Sequence, residues 1–179
     1  MDLYPVLKVV HVLAATVWVG GGISLLLMTL TAPRTPDRLF ASMEQMGRLG
    51  PLLFMPASIL TVLSGGTLVL TGAWGAQPWI VAALSLVAVT FAVGALVIGP
   101  TGGKIAARLV EGDRDGAYAL GLRVLRIARI DQAAQILVVI LMVAKPVTWL
   151  GVAEIAVVVA ALATAVLLAE TRSVRPAAA

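Results

Sequence analysis

The chain carries a single histidine, His11, and no cysteine. Without thiols there is no disulfide, iron–sulfur cluster, thiolate metal site or cysteine nucleophile to consider. With one imidazole, a paired-His zinc site or a bis-His haem would need a second copy of the chain. Lys8 stands nearly one turn before His11, and Ala15, Trp18 and Gly22 follow at i+4, i+7 and i+11. On a helix these share one face, so the histidine opens a surface of small residues and one indole that a neighbouring helix can approach closely. Glu154, in the last apolar segment, falls at a depth that permits it to meet His11. An imidazole beside a carboxylate makes a proton or metal site; a structural hydrogen bond, or a Glu reaching out to the interface, is the plainer alternative. Asp131 and Gln135 lie one turn apart, with Gln132 beside them. They form either a polar strip directed into a helix bundle or an interfacial Asp131 paired with a basic loop residue.

Two further motifs fail on spacing. Gly99-Pro100-Thr101-Gly102-Gly103-Lys104 resembles a phosphate loop, but the first required Gly falls on Ile98, and Ile105 stands where a Ser or Thr should bind Mg²⁺. Glu111-Gly112-Asp113-Arg114-Asp115-Gly116 resembles the start of a calcium loop, yet its twelfth position is Leu122 rather than a bidentate Glu. A solvated turn between two short helices accounts for it.

The elements that position these groups follow from composition. The 179 residues are 60% hydrophobic and only 12% charged, with mean hydropathy +1.03. A soluble chain has about twice that charge. From Leu49 to Gly103 there is no Asp, Glu, Lys, Arg or His. A bilayer core of roughly 30 Å needs about 20 apolar residues per helix, so this stretch holds two spans and a turn. The fold class expected is all-α: a polytopic membrane protein with a four-helix transmembrane bundle and a fifth helix packed outside it. The spans fall at about residues 6–31, 51–71, 78–99, 127–144 and 147–169. Residues 1–171 then form one transmembrane domain, and 172–179 a short tail. Lys104–Arg129 is the only sizeable extramembrane segment in this scheme. The uncharged stretch from Val12 to Leu30 exceeds a secretory h-region and reads as a retained helix.

Basic residues set the orientation. Arg34, Arg38 and Arg48 follow the first span, Lys104, Arg108, Arg114, Arg123, Arg126 and Arg129 the third, and Arg172 and Arg175 the fifth. Lys8 and Lys145 alone lie on the other side. The positive-inside rule then puts the N-terminus outside and the C-terminus in the cytoplasm of a bacterial inner membrane. An even number of spans would misplace Arg172 and Arg175. Tyr4, Trp74, Trp79 and Trp149 fall in the outer turns, where amphipathic rings anchor at headgroup level. The pI near 10.1 therefore reflects loops facing anionic lipid heads, not nucleic acid.

The string LKVVHVLAATVWVGG, with Lys8, His11, Trp18 and Gly21, resembles the first helix of HemJ-type protoporphyrinogen oxidases and of CopD-like copper-resistance membrane proteins. MPASILTV, with Pro56, is similar to their second helix, ILVVILMVAKP to the end of their fourth, and Thr148-Trp149 to the start of a fifth in longer members. The likeness runs from Tyr4 to about Leu168 and is closest to a bacterial integral-membrane family of unknown function with this architecture. It implies the bundle fold and haem b or copper handling, with His11 as cofactor ligand and Met28, Met55 or Met142 as candidate second ligands. The Lys and His that HemJ-type oxidases carry in helix three fall on Ala83 and Gly94, and a further His on Ala32. The resemblance therefore implies the fold and not the oxidase activity, and no catalytic residue is assigned. Beside this cofactor-binding expectation stand a proton-coupled small-solute transporter, using Glu154 with His11 and Asp131 with Gln135, and an accessory subunit of a larger complex or homo-oligomer.

Overall fold

The computed structural model describes residues 3–31 and 35–172, with side chains placed at 3–27, 35–166 and 168. Its elements are α1 (Leu3–Ala15), α2 (Gly21–Thr31), α3 (Pro36–Leu49), α4 (Met55–Thr71), α5 (Pro78–Val93), α6 (Gly99–Val110), α7 (Arg114–Ala144) and α8 (Trp149–Arg172). There is no strand among the described residues. Widened π turns at Thr16–Gly20, Gly50–Phe54 and Gly94–Ile98 join α1 to α2, α3 to α4 and α5 to α6. The result is five long helices, each with a stretch long and apolar enough to cross a membrane.

Proline explains two of the wide turns. Pro56 and Pro100 have no N–H, and in a regular α-helix their rings would strike the carbonyls of Leu52 and Leu96. In each case the preceding residue donates five positions back instead of four: Met55 N–H to Gly50 O, and Gly99 N–H to Gly94 O. One extra residue in the turn lets the helix continue past the ring.

The helices outrun the apolar segments that announce them. The span expected from residue 51 belongs to a helix that begins at Pro36, the third continues to Val110, and the fourth begins at Arg114. Apolar content marks where a helix meets lipid, not where it stops. The extensions pack on one another, burying Leu39, Ile105, Ala117, Val124 and Leu125. Lys104–Arg129 is therefore not the only sizeable polar part, since α3 joins it. The turn expected over residues 111–116 contracts to Glu111–Asp113. Gly112 takes φ +80°, open to glycine, and Asp113 caps α7 by accepting from Gly116 N–H at 2.9 Å.

α1 packs mainly on α4, and α5 and α6 on α7. α8 lies against α7 and α5 with no buried residue among those described, outside the bundle as expected. Apolar residues lie on both sides of the bundle surface, and several polar ones lie within it. Leu70 and Leu96 are exposed, while Ser58, Thr61, Ser64, Thr90, Gln132 and Gln135 are buried. On α5 the packed face is Ile80, Ala83, Val87 and Thr90. The small residues Ala88, Ala95 and Gly99 are exposed, and it is Ala83 and Val87 that pack on Val138 of α7.

The two ends of the bundle differ. At one end the Trp74 indole donates to Tyr4 Oη at 3.1 Å and meets Trp79 edge-on at 5.8 Å. Lys145 lies over both indoles, 4.6 and 5.7 Å from the ring centres. At the other end, Arg114 pairs with Asp37 and lies over Phe40. Ala32, Arg34, Arg175 and the Met28 and Arg172 side chains lie outside the described residues.

Candidate functional site: a polar seam inside the bundle

His11 faces α4. Its Nδ1 lies 3.0 Å from the Thr61 carbonyl and 3.2 Å from Ser64 Oγ. A carbonyl can only accept, so Nδ1 carries the proton and Nε2 keeps its lone pair. The approach depends on Gly65, where a Cβ would come within 2.7 Å of His11 Cε1. Thr61 and Ser64 donate their own hydroxyl protons to Ala57 O and Leu60 O, one turn back, and so need no outside acceptor. Their lone pairs remain available to a donor.

Below His11, towards the basic end, α1 opens into its π turn. Gln132 of α7 rests on Gly22 and donates Nε2–H to the Val19 carbonyl at 3.3 Å. That bond sets the register of α7 against α1. Gln132 is level with Val19, eight residues beyond His11, so His11 lies roughly 12 Å nearer the aromatic end at 1.5 Å per residue. Gln135, one turn up α7, donates Nε2–H to Asp131 Oδ2 at 2.8 Å. Its Oε1 is buried with no hydrogen-bond partner. Between Gln135 and Thr61 lies a small cavity, with about 20 Å³ open to the centres of water molecules. Trp18, Val87, Thr90, Val138 and Met142 complete most of its wall.

Of the groups marked in the sequence, the structure joins Asp131 to Gln135 and sets Trp18 beside Gln135 on the cavity wall, while His11 reaches the same cavity only through Thr61. Lys8 is exposed and lies 5.5 Å from the Tyr4 ring centre, at the aromatic end. Glu154 is exposed on α8, while His11 turns to α4, so the two are not partners. Met55 is exposed ten residues down α4 from Gly65, roughly 15 Å away along the helix. Gln132, marked with Asp131 and Gln135, bonds to α1 instead of joining them, and Thr90 acquires a place that the sequence did not single out. For Thr90 the available signal was its place at the end of the Ile80-Ala83-Val87-Thr90 spacing, a polar residue on an otherwise apolar face.

This is a polytopic helical membrane protein with a buried polar seam. The chain belongs to the family described as "Predicted integral membrane protein (DUF2269)", whose model matches residues 5–155. No curated protein and no solved structure matches the chain.

Proposed function

We propose that the protein relays protons within the membrane along the seam Asp131–Gln135–Thr61–His11, as a proton-coupled membrane protein. The observation that carries this reading is the alignment of polar groups inside an otherwise apolar bundle, with a carboxylate at one end and an imidazole at the other. Ionisable groups cost about 2.5–3.5 kcal/mol each at the centre of a membrane helix. An ionisable group kept inside a span therefore calls for a role, and proton relay is one that a carboxylate and an imidazole can fill. The Nδ1 bond to Thr61 supports the role of His11, because it holds the ring against the seam and leaves Nε2 to take and release a proton, while the Ser64 hydroxyl, 3.2 Å from Nδ1, is the neighbour able to hand one on. Glu154 takes no part. The basic end faces the cytoplasm of a bacterial inner membrane in this scheme, and the aromatic end faces outward.

The test is proton flux into liposomes holding the purified protein and a pH-sensitive dye. The expected result is flux in the wild type and a fall of about tenfold or more in Asp131→Asn and in His11→Phe. Wild-type flux in both variants overturns the relay.

A second reading follows the HemJ- and CopD-type resemblance, with His11 as an imidazole ligand. The same bond supports it, since a ligating histidine commonly anchors its other ring N–H on a carbonyl. The interior does not fit haem b: the cavity beside the seam holds little more than a water molecule. The described residues also contain no group of three His, Asp or Glu that could hold a metal ion. A ligand at Nε2 would have to lie outside the packed core. Absorption spectra and metal analysis of the purified protein, beside His11→Ala, decide it. A Soret band or bound copper lost in the variant establishes the ligand, and a featureless metal-free wild type from haem-replete cells removes it.

A further inference from the structure

We infer that the cavity between α1, α4, α5 and α7 is a dry apolar gap that gates the seam, with Val87 and Val138 as its barrier. The inference rests on the relay reading and says what limits it. On one side of the gap Gln135 donates Nε2–H to Asp131. On the other, His11 meets Thr61 O and Ser64 Oγ. Among the described residues no hydrogen bond joins these halves, since Gln135 Oε1 is buried without a partner and Thr61 Oγ1 bonds back to Ala57 O.

The lining explains the break. Ala83, Val87 and Val138 pack together, with Trp18, Leu86 and Met142 against them. Of these, Trp18, Val87, Val138 and Met142 line the gap and make its surface almost wholly apolar. Thr61 and Thr90 line it too, but their hydroxyl protons go to Ala57 O at 2.8 Å and Val87 O at 3.1 Å, and they add almost nothing polar to that surface. A water needs about two to four polar partners to stay in a buried site, and apolar cavities stay dry even where a molecule fits. A proton crossing between the halves needs a water or hydroxyl to carry it, so this stretch blocks transfer by excluding water, as hydrophobic constrictions do in channels.

The barrier is thin and poised. Val87 and Val138 are each 7% exposed, and behind them Gln135 keeps an acceptor unmade. An unmade buried acceptor costs free energy that an entering water returns. The helices are tied on both sides of the gap. Gln132 holds α7 to Val19 O towards the basic end, and Tyr4, Trp74, Trp79 and Lys145 cluster at the aromatic end. Side-chain movement at Val87 and Val138, between those ties, then sets whether water enters.

The test is the liposome flux assay on Val87→Thr, Val138→Thr, Val138→Ala and the double variant Val138→Thr with Asp131→Asn, with thermal unfolding to check each fold. Threonine keeps the shape of valine and adds a hydroxyl, whereas alanine adds space alone. Both threonine variants are expected to raise flux about threefold or more by wetting the gap. Val138→Ala should stay near the wild type, and the double variant should fall to the level of Asp131→Asn. Wild-type flux in both threonine variants, with Asp131→Asn still lowering it, overturns the gate and keeps the relay. An equal rise in Val138→Ala and Val138→Thr makes space rather than polarity the limit, and also overturns the gate. A rise that survives Asp131→Asn is a leak outside the seam and removes gate and relay together, as does an absence of flux in every variant.

Discussion

His11 illustrates how one side chain is placed by its neighbour's lack of one. The imidazole fits over Gly65, where any Cβ would meet its ring, and this closeness brings Nδ1 within reach of Thr61 O. Gly65→Ala should therefore separate α1 from α4 or displace the ring, costing about 1–3 kcal/mol as an overpacked core does. Gly66, with open space at its Cβ position, is the control. Thermal unfolding in detergent should show Tm lowered in Gly65→Ala and nearly unchanged in Gly66→Ala; equal effects would show that the notch has no special role. The face on which His11 lies was legible from the Ala15, Trp18 and Gly22 spacing. Its partner helix was not, because small residues on several spans could have accepted it. Depth alone suggested Glu154, yet α8 lies across the bundle against α7 and α5.

The Asp113 carboxylate accepts from Gly116 N–H and then from Arg108, and these bonds hold its pKa below the ordinary carboxylate value. With the folded pKa depressed, the stabilisation is fully present above the unfolded value of about 3.9. It is lost as pH falls through the folded value. Asp113→Ala should lower Tm at neutral pH and converge with the wild type in strong acid. A difference that persists unchanged at the lowest pH would assign the effect to packing rather than to the charged cap. Sequence marked a turn over residues 111–116, of which only Glu111–Asp113 forms it. It did not show that α7 runs unbroken from Arg114 into the apolar stretch, since hydropathy falls at the interface while the backbone hydrogen bonds do not.

For the molecule as a whole, α8 is the separable part. It buries no described residue, and the family match ends at residue 155, early in this helix. The other four long helices hold every contact of the seam. A chain ending after Pro146 should keep Lys145 over Trp74 and Trp79, and should remain folded with a Tm close to the full chain. It should also retain flux. Collapse of the shortened chain to aggregates on gel filtration would show instead that α8 completes the core. The packing behind this prediction follows from the solvent. Lipid gives no hydrophobic gain when two apolar helices meet, so close contact at small residues and buried polar bonds must hold the bundle together, with Leu and Val left to face outward.

Composition and charge were enough to establish the class: an all-helical chain with five lipid-length apolar segments and one end rich in arginine. Those properties are sums over local composition, and a spanning helix meets the bilayer's demand that every backbone polar group be satisfied internally. The sequence also marked His11, Asp131 and Gln135, because polar side chains stand out in an apolar run. Which of them meet depends on how the helices pack. Helix rotation and depth depend on individual notches such as Gly22 and Gly65, and on π turns that change a helix's register by one residue. Those choices join Gln135 to the cavity, turn His11 to Thr61 and leave Glu154 outside.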